Sequence, residues 1–458
     1  MLPVLRSANY HDPVYREIIY RSPVGSGLFF APEAVKRINS TVEDVLTSSL
    51  THRLHFVCED PCLQLGFPAI KYDAFGQLIG TLYLSDLSRS KIFVHGTMFY
   101  QWLLDENLLE EYMMAILLSR LVRMPNDKIL QTVKPFDRIK TSQVVNDIIK
   151  EEGLFKEAWD KTFQRDATGG ILKKLGDSLD TEIVLEVLSG GEESSFKINV
   201  LNSLVCGALQ LSRLDRVFRL SFYSGKEIYQ LDIDALLRDI DITENNRTIT
   251  FSESKISDRQ KYLFCSTFYN VIQKEVILEN SVSFYRAFFR RGVKRYVKKL
   301  IENGITEEKI TADTAFLTDL QLWHELYKYD PEDLEAVRHM RPHREPPFRV
   351  EADFGSRIEE IEDILLTIIK NNCGLSEEQM VVDVVAPNDT DMVWLSPSKF
   401  TGVVDSVSEA RLTKIQDRRG KVTFSFFALN AENQKKLFGI RVGDLPDGFK
   451  IVSNCISS

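Results

Sequence analysis

Helical periodicity dominates most of the chain. Apolar residues recur at spacings of three and four from about Pro32 to Lys328, with few runs rich in β-branched residues. This spacing is that of one face of an α-helix, so the pattern predicts a bundle of helices. The run from Leu108 to Val122 is densely apolar, and its length favours a buried helix over a strand. The bundle should therefore form around at least one helix that crosses its core.

A proline-rich segment, His343 to Phe348, is the best domain boundary, because prolines end helices and stiffen a connection. The composition changes after it. Ile358 to Asn372 then reads as one amphipathic helix. Three later stretches are rich in β-branched and aromatic residues and predict strands: Met380 to Val385, Lys421 to Ala428 and Gly448 to Val452. We expect a small α+β domain here. Within the helical part, Asn245-Asn246 and the β-prone stretch Arg247 to Phe251 predict a local loop or a hairpin.

Composition limits the class of protein. The chain has 458 residues, 44% of them hydrophobic and 27% charged, which is typical of a globular protein of two or three packed units. A net charge of -9 opposes wholesale wrapping by nucleic acid or anionic lipid. There is no run of 18 apolar residues and no signal-peptide core, so we expect no membrane span and a cytoplasmic location. The six widely spaced cysteines predict free thiols.

Six short segments resemble, in order, the motifs of one enzyme family. Asp12 to Ile18 is similar to an opening motif, Asp-Pro-Val-His-Gly-x-Ile. The segment from Phe67 to Thr81 is similar to a second motif, Tyr-Pro-Gly-Ala-x-His-x-Arg-Phe-x-His-Ser-Leu-Gly. Ala115 to Pro125 resembles an apolar helix ending in His-Asp-x-Gly-His-x-Pro. The other three segments are Gly207 to Gly225, Asp232 to Arg238 and Leu317 to Trp323. Together they resemble the HD-domain deoxynucleoside triphosphate triphosphohydrolases, which include the SAM-and-HD-domain phosphohydrolases.

The resemblance implies a fold and an assembly. It implies a mainly α protein, with an HD-type helical core, helical appendages and the small C-terminal α+β domain. We divide the chain into a degenerate HD-type domain at 1–240, a helical extension at 241–345 and an α+β domain at 346–458. Because enzymes of this family commonly form dimers or higher rings, the resemblance also implies a homo-oligomer.

The metal positions of the family are altered in this chain. Gln77 occupies the position of the first histidine ligand, Ser119 and Arg120 stand at the His-Asp pair, and Ser212 replaces the last aspartate. Glutamine and serine are poor metal ligands, and a guanidinium repels a cation. We therefore expect no catalytic residues, no cofactor and no enzymatic activity. Arg120 is the candidate for a fixed charge in place of the metal, although a simple salt bridge would also explain it.

Several arginines accompany these positions and suggest a phosphate ligand. The leading hypothesis is thus an inactive phosphohydrolase-like protein that binds a nucleotide or another phosphate ligand as a regulatory or scaffold protein. An ion-paired helix face is the simpler explanation of the same charges. The candidates are Arg120, Arg123, Arg213, Arg216 and Arg219.

A divergent but active phosphohydrolase is the first alternative. It would need a divalent metal, held by carboxylates close to the family motifs. The candidates are Asp73, Asp86 and Asp215.

Zinc-type ligands also cluster within eleven residues, at His52, His55, Cys58 and Cys62. Their spacing matches no usual zinc finger, and consecutive ligands on one straight helix lie too far apart to close a tetrahedron. This pattern favours buried thiols and capping histidines over a zinc site.

A basic amphipathic helix is predicted over residues 286–299. It alternates arginines and lysines with aromatic and aliphatic residues. Such a helix could contact nucleic acid, an anionic membrane surface or a protein partner. A solvated basic face over an apolar stripe is the favoured explanation, given the acidic charge of the whole chain.

Overall fold

The computed structural model describes residues 49–58, 61–66, 73–163, 179–191, 194–207, 209–223, 237–238, 240–245, 248–252, 282–332, 334–335, 348–353, 357–385 and 421–452. Five sequence features lie wholly or partly outside these residues. They are the Asp12–Ile18 motif, the first part of Phe67–Thr81, the end of Gly207–Gly225, most of Asp232–Arg238 and the proline-rich segment. Two of the six cysteines, Cys265 and Cys455, also lie outside.

Helices make up most of the described chain before residue 335. They are α1 (Ser49–Leu54), α2 (Pro61–Gly66), α3 (Ala74–Arg89), α4 (Phe99–Asp105), α5 (Leu109–Leu121), α6 (Asp127–Leu130), α7 (Thr141–Ile149), α8 (Gly153–Phe163), α9 (Thr181–Ser189), α10 (Phe196–Val205), α11 (Leu211–Tyr223), α12 (residues 282–302), α13 (Glu307–Ala315) and α14 (Asp319–Tyr329). None of the helices in the described ranges is long and apolar enough to cross a membrane.

Helix α5 is the core helix that the sequence predicts. All of its residues except Glu110 and Arg120 are buried, as expected for a helix that is apolar on every side. It contacts α1, α3, α4, α7, α9 and α10, so it lies among these helices of the bundle. The mainly helical character is therefore confirmed, and Ser119 and Arg120 lie near the end of this central helix.

A small sheet is inserted in the bundle. Its strands are β1 (Phe93–Val94), β2 (Thr97–Met98), β3 (Asp241–Asn245) and β4 (Thr248–Ser252), in the order β2-β1-β3-β4. Strands β3 and β4 form the hairpin predicted near Arg247, while β1 runs parallel to β3. Strands β1 and β2 have two residues each, which is too short for any periodicity to reveal them in the sequence.

The C-terminal part is a second sheet with helices. It contains β5 (Phe348–Asp353), α15 (Ile358–Cys373), β6 (Met380–Val385), β7 (Lys421–Ala428), α16 (Ala431–Leu437) and β8 (Phe449–Ile451). All pairings are antiparallel, in the order β6-β7-β5-β8. The small α+β part predicted from the sequence is therefore present, and the bounds of β6 and β7 are those predicted.

The two faces of the C-terminal sheet contact different cores. On β6, Val382 and Val384 belong to an apolar cluster with α15, whereas Val381 belongs to the cluster of the helical part. Phe427 on β7 also joins the helical core, where its ring centroid lies 5.0 Å from that of Phe284 on α12. Alternate residues of a strand face opposite sides, so Asp383 is placed on the same face as Val381 and points to α12.

Two buried ion pairs connect α12 to the C-terminal part. Arg286 donates from Nε to Asp383 Oδ1 at 3.1 Å and from Nη2 to Oδ2 at 2.8 Å. Arg290 makes the same forked contact with Glu362 of α15, at 2.8 Å and 2.6 Å. The exposed fractions of Arg290 and Glu362 are only 2% and 3%, so both charges are removed from water. We call the Arg290–Glu362 pair the clamp.

The expectation of a solvated basic face on residues 286–299 is therefore wrong for its two most buried arginines. Asp383 and Glu362 lie on separate elements of the C-terminal part, and each carboxylate needs a cation when buried. The arginines of α12 supply them. The acidic partners lie more than 70 residues further along the chain, and no local pattern reveals such pairing.

Acid should weaken the clamp. Burial opposes the ionisation of Glu362, but Arg290 and Lys294 outweigh it and lower its pKa from 4.5 to about 2. A carboxyl with a lowered folded-state pKa contributes stability above its unfolded pKa, and the contribution is lost as the pH falls from 4.5 through 2. The difference corresponds to about 3 kcal/mol of unfolding free energy. Urea unfolding at pH 7 and pH 3 should show a loss of about 2 kcal/mol of this contribution, because pH 3 is still above the folded-state pKa.

The matched variants are Glu362→Gln and Glu360→Gln on the same helix, where Glu360 is exposed. Glu362→Gln should lower the unfolding free energy at pH 7 by about 3–5 kcal/mol, because the buried Arg290 loses its carboxylate and the partly exposed Lys294 loses its partner. It should also flatten the dependence on pH, while Glu360→Gln keeps the wild-type profile. Parallel pH profiles for all three proteins would contradict the assignment.

Candidate functional site

Gln77, which the resemblance places at the position of the first histidine ligand, is buried between two helices. It lies in the first turn of α3, which begins after the N-cap Asp73. Its side-chain Nε2 donates to the main-chain oxygen of Ser212 on α11 at 3.5 Å, and its Oε1 accepts from Arg123 Nη1. Gln77, Ser212 and Arg123 are thus brought together, and a guanidinium lies against the amide that stands where the family has a histidine.

Arg123 is fixed through its main chain as well. It follows α5, and its carbonyl oxygen accepts from Arg53 Nη2 at 2.6 Å. Arg53 also donates to carbonyls at the C-terminal end of α13, at 2.8 Å to Phe316 and 3.0 Å to Ala315. A cation beside two helix C-termini satisfies carbonyls that lack helical partners. Burial lowers the pKa of Arg53 to about 10, and the charge of Asp319 opposes that fall.

Asp319 completes this buried network. Its carboxylate accepts from the backbone N–H of Cys58 at 2.5 Å and from that of Asn126 at 2.9 Å. Asn126 has a φ of 46°, a left-handed conformation that asparagine tolerates better than most residues. Burial raises the pKa of Asp319 to about 6, against the effect of these two donors and of Arg53. The chain after α5 is therefore held by a charge of each sign.

Ser119 and Arg120 take separate roles near the end of α5. Ser119 is buried and donates to the Ile116 carbonyl at 2.7 Å, within its own helix. Arg120 is half-buried and its Nε donates to Ser119 Oγ at 3.2 Å. Its charge reaches Cys206, where it opposes the rise in thiol pKa that burial causes. The cation in contact with Gln77 is therefore Arg123, whereas the sequence analysis named Arg120 as the candidate for a fixed charge there.

One face of α11 packs against α3. Ser212, Asp215 and Arg219 lie three and four residues apart and are all buried. Arg219 Nε donates to Asp215 Oδ2 at 2.7 Å. The pair fits because α3 has glycines at 76 and 80: a Cβ on Gly80 would overlap the Asp215 carboxylate, and one on Gly76 would lie 3.1 Å from Arg219 Nη1. Arg219, a predicted phosphate ligand, is instead buried in this ion pair.

The remaining arginine candidates lie beside that face. Arg213 and Arg216 are three residues apart on α11 and both are half-buried. Each follows a buried residue of that face by one position, Ser212 or Asp215, so both lie to one side of it. Arg120 lies on a different helix, α5, beside Ser119.

The three carboxylates considered for a divergent metal site each cap a helix or form an ion pair within the protein. Asp73 accepts from Gly76 N at 2.6 Å as the helix cap of α3 and lies 3.4 Å from His55 Nδ1. Asp86 pairs with Arg89, and Asp215 with Arg219. The three lie on different turns, each with an internal partner. The side chains around Gln77 do not fit a divalent metal, because the permanently charged guanidinium of Arg123 contacts the Gln77 oxygen that would have to bind the metal.

The zinc-type residues do not assemble either. Helix α1 ends at Leu54, so only His52 and, just beyond the helix, His55 lie together, with ring centroids 6.3 Å apart. Cys58 instead lies beside Asp319 and Gln64, and burial raises its thiol pKa far above the usual range. Across the described ranges, no three histidine, cysteine or acidic side chains are grouped as metal ligands would be.

Sequence reasoning missed the residues that organise this region. Arg53 and Asp319 lie 266 positions apart and are linked only in the folded chain, although the Thr-Asp segment at 318–319 carried part of the family resemblance. The close packing of α3 against α11 could have been predicted from the glycines at 76 and 80, since two small residues four positions apart allow helices to approach closely.

Comparison with known proteins supports the fold. No protein-family model matches the sequence, and no curated protein matches it significantly. A hypothetical protein from Aquifex aeolicus is similar in structure, with a TM-score of 0.56 and 16% identity, over 92% of this chain and 100% of that chain. A phosphohydrolase from Bacteroides thetaiotaomicron has a TM-score of 0.52 and 14% identity, over 90% and 100%. At these identities the likeness concerns the fold alone.

Adding one methyl group to α3 should separate the two helices. Gly80→Ala should lower the unfolding free energy by about 1–3 kcal/mol, because the new Cβ overlaps the buried Asp215–Arg219 pair. The matched control is Gly292→Ala in α12, where the nearest atom to a new Cβ is Leu334 Cδ2 at 3.8 Å. That variant should gain about 0.5–1 kcal/mol from alanine's better helix propensity. Urea denaturation gives both values, and equal effects of the two changes would refute the packing argument.

Proposed function

We propose that this chain is a non-catalytic protein of the phosphohydrolase fold that binds a phosphate-bearing ligand such as a nucleotide. In this proposal it acts as a regulatory or scaffold protein. The fold supports the assignment to the phosphohydrolase fold, since one of the similar structures is named a phosphohydrolase. The observation that carries the proposal is the contact of Arg123 with Gln77 at the altered metal position.

The contact argues against metal-dependent hydrolysis. Hydrolysis of this kind requires a cation that polarises the phosphate and lowers the pKa of water. A guanidinium supplies the charge but has no open coordination position and does not release a proton. Arg123 is also anchored through its carbonyl oxygen to Arg53, so its backbone cannot move away without breaking that bond.

The charge of three half-buried arginines supports a phosphate as the proposed ligand: Arg120, Arg213 and Arg216. Their planar guanidinium groups match phosphate oxygens. Partial burial strengthens such contacts because fewer waters compete. Phosphate is therefore a better match for these arginines than an uncharged ligand.

The alternatives have less support. An active hydrolase would need Asp73, Asp86 or Asp215 to bind a metal. Each of these carboxylates would first have to break an internal contact that stabilises α3 or α11. A nucleic-acid or partner surface on residues 286–299 would have to work without Arg286 and Arg290, which are buried in ion pairs. The exposed remainder, including Lys298 and Lys299, is a smaller basic surface.

The test combines binding, turnover and metal content. Purified protein is assayed for phosphate release from all deoxynucleoside and ribonucleoside triphosphates with magnesium, manganese, iron or cobalt, and its total metal is analysed. We expect no stoichiometric metal and no turnover, while pyrophosphate raises the melting temperature. Arg213→Ala and Arg216→Ala should each weaken pyrophosphate binding about tenfold, from the loss of one charged hydrogen bond.

Arg138→Ala is the control, because Arg138 is exposed and lies outside this region. It should bind pyrophosphate as the wild type does. Stoichiometric metal with turnover that is lost in Asp73→Asn or Asp215→Asn would overturn the proposal in favour of the divergent enzyme. Absence of any pyrophosphate effect would remove the phosphate ligand from it.

A further inference from the structure

The segment between the candidate site and the clamp has polar anchors at both ends. Residues 122–133 connect Arg123 to Thr132, through the short helix α6. At the site end, Arg53 holds the Arg123 carbonyl at 2.6 Å, and Asp319 holds the Asn126 N–H at 2.9 Å. We call residues 122–133 the relay segment.

At the other end, the segment is held by the arginine of the clamp. Arg290 Nε donates to Thr132 Oγ1 at 3.0 Å, and Nη2 donates to the Thr132 carbonyl at 2.9 Å. The same guanidinium grips Glu362 with Nη1 and Nη2. All three nitrogens are thus used, and Thr132 is 1% exposed. Because a guanidinium is planar and rigid, the direction of its contact to Glu362 fixes the direction of its contact to Thr132.

Docking of the C-terminal part therefore sets the position of the relay segment. If Glu362 loses its charge or moves, Arg290 is a buried cation without its carboxylate and must reorient or draw in water. Either response alters both bonds to Thr132. Thr132 is joined to Arg123 by only eight intervening residues, several of them buried, including Met124, Ile129 and Leu130. Close-packed interiors pass such shifts on, because they do not deform continuously.

We infer that the C-terminal part regulates the candidate phosphate site through the relay segment: a docked clamp holds Arg123 against Gln77, and ligand binding and docking stabilise each other. The inference rests on the proposed function for its ligand. It goes beyond it by naming the element that controls the site. Coupling of this kind is reciprocal, so a ligand that favours the fixed arrangement also favours the docked clamp.

Three substitutions test the clamp and the relay segment separately. Glu362→Gln removes the negative charge of the clamp. Thr132→Val keeps the ion pair and nearly the same shape but removes the hydroxyl that accepts from Arg290 at 3.0 Å. It also removes the donation of this hydroxyl to the Ile129 carbonyl at 2.7 Å. Thr311→Val is the matched control for that second loss, because Thr311 is also buried and its hydroxyl donates to the carbonyl of Glu307 at 2.6 Å, outside the relay segment.

The first readout is hydrogen exchange at the amides of Val122 and Arg123, which bond the carbonyls of Leu118 and Arg120. Exchange there needs no ligand. In Glu362→Gln and Thr132→Val it should be about tenfold faster than in the wild type, because the far anchor of the segment is lost. In Thr311→Val it should be unchanged. Unchanged exchange in both Glu362→Gln and Thr132→Val would overturn the relay.

The second readout is the Kd for inorganic pyrophosphate, measured by calorimetry on the full chain. Thr132→Val should weaken binding about three- to tenfold, the usual range for coupling between separate sites. Equal Kd values for Thr132→Val and Thr311→Val would overturn the regulatory inference. If the wild type does not bind pyrophosphate, the proposed function fails, and the exchange measurement still decides whether the clamp controls the position of Arg123.

Discussion

The forked contact between Arg290 and Glu362 is the interaction on which the arrangement of the molecule depends. It joins α12 of the helical core to α15 of the C-terminal part and fixes Thr132 in the same plane. Two buried charges contribute little net stability after their desolvation, but they tolerate few alternative geometries. Apolar contacts such as that of Phe284 with Phe427 bring the two parts together, and the ion pairs then select one orientation.

Much of the fold could be predicted because its signals are local. The run around α5 is apolar over most of its surface, and the clustered β-branched and aromatic residues of β6 and β7 are typical of strands with both faces covered. Asn245-Asn246 and the β-prone stretch that follows predicted a loop or a hairpin, and the structure has a hairpin. Strands β1 and β2 were missed because two residues carry no period. They pair with each other, and β1 also pairs with β3, whose residues lie 148 positions further along the chain.

The candidate site could be predicted only in part. Position 77 and position 212 meet as the family resemblance implies, through the amide of Gln77 and the carbonyl of Ser212. The sequence could not indicate which arginine would contact Gln77. Arg120 and Arg123 both follow the same apolar run, and the choice is made by Arg53, which binds the Arg123 carbonyl from a distant helix. Which side chains of a helix end face inward is decided by tertiary partners of this kind.

The double anchoring of Arg123 has a consequence for redesign of this region. Its side chain contacts Gln77, while its main-chain carbonyl accepts from Arg53, which also binds carbonyls at the end of α13. Replacing Gln77 by histidine would place an imidazole against an arginine whose backbone is held in position. That single change would not create a metal site, because the guanidinium would repel the metal ion and Arg123 could not leave without losing its main-chain contact. The buried arginine, and not residue 77 alone, therefore determines what this part of the fold can bind.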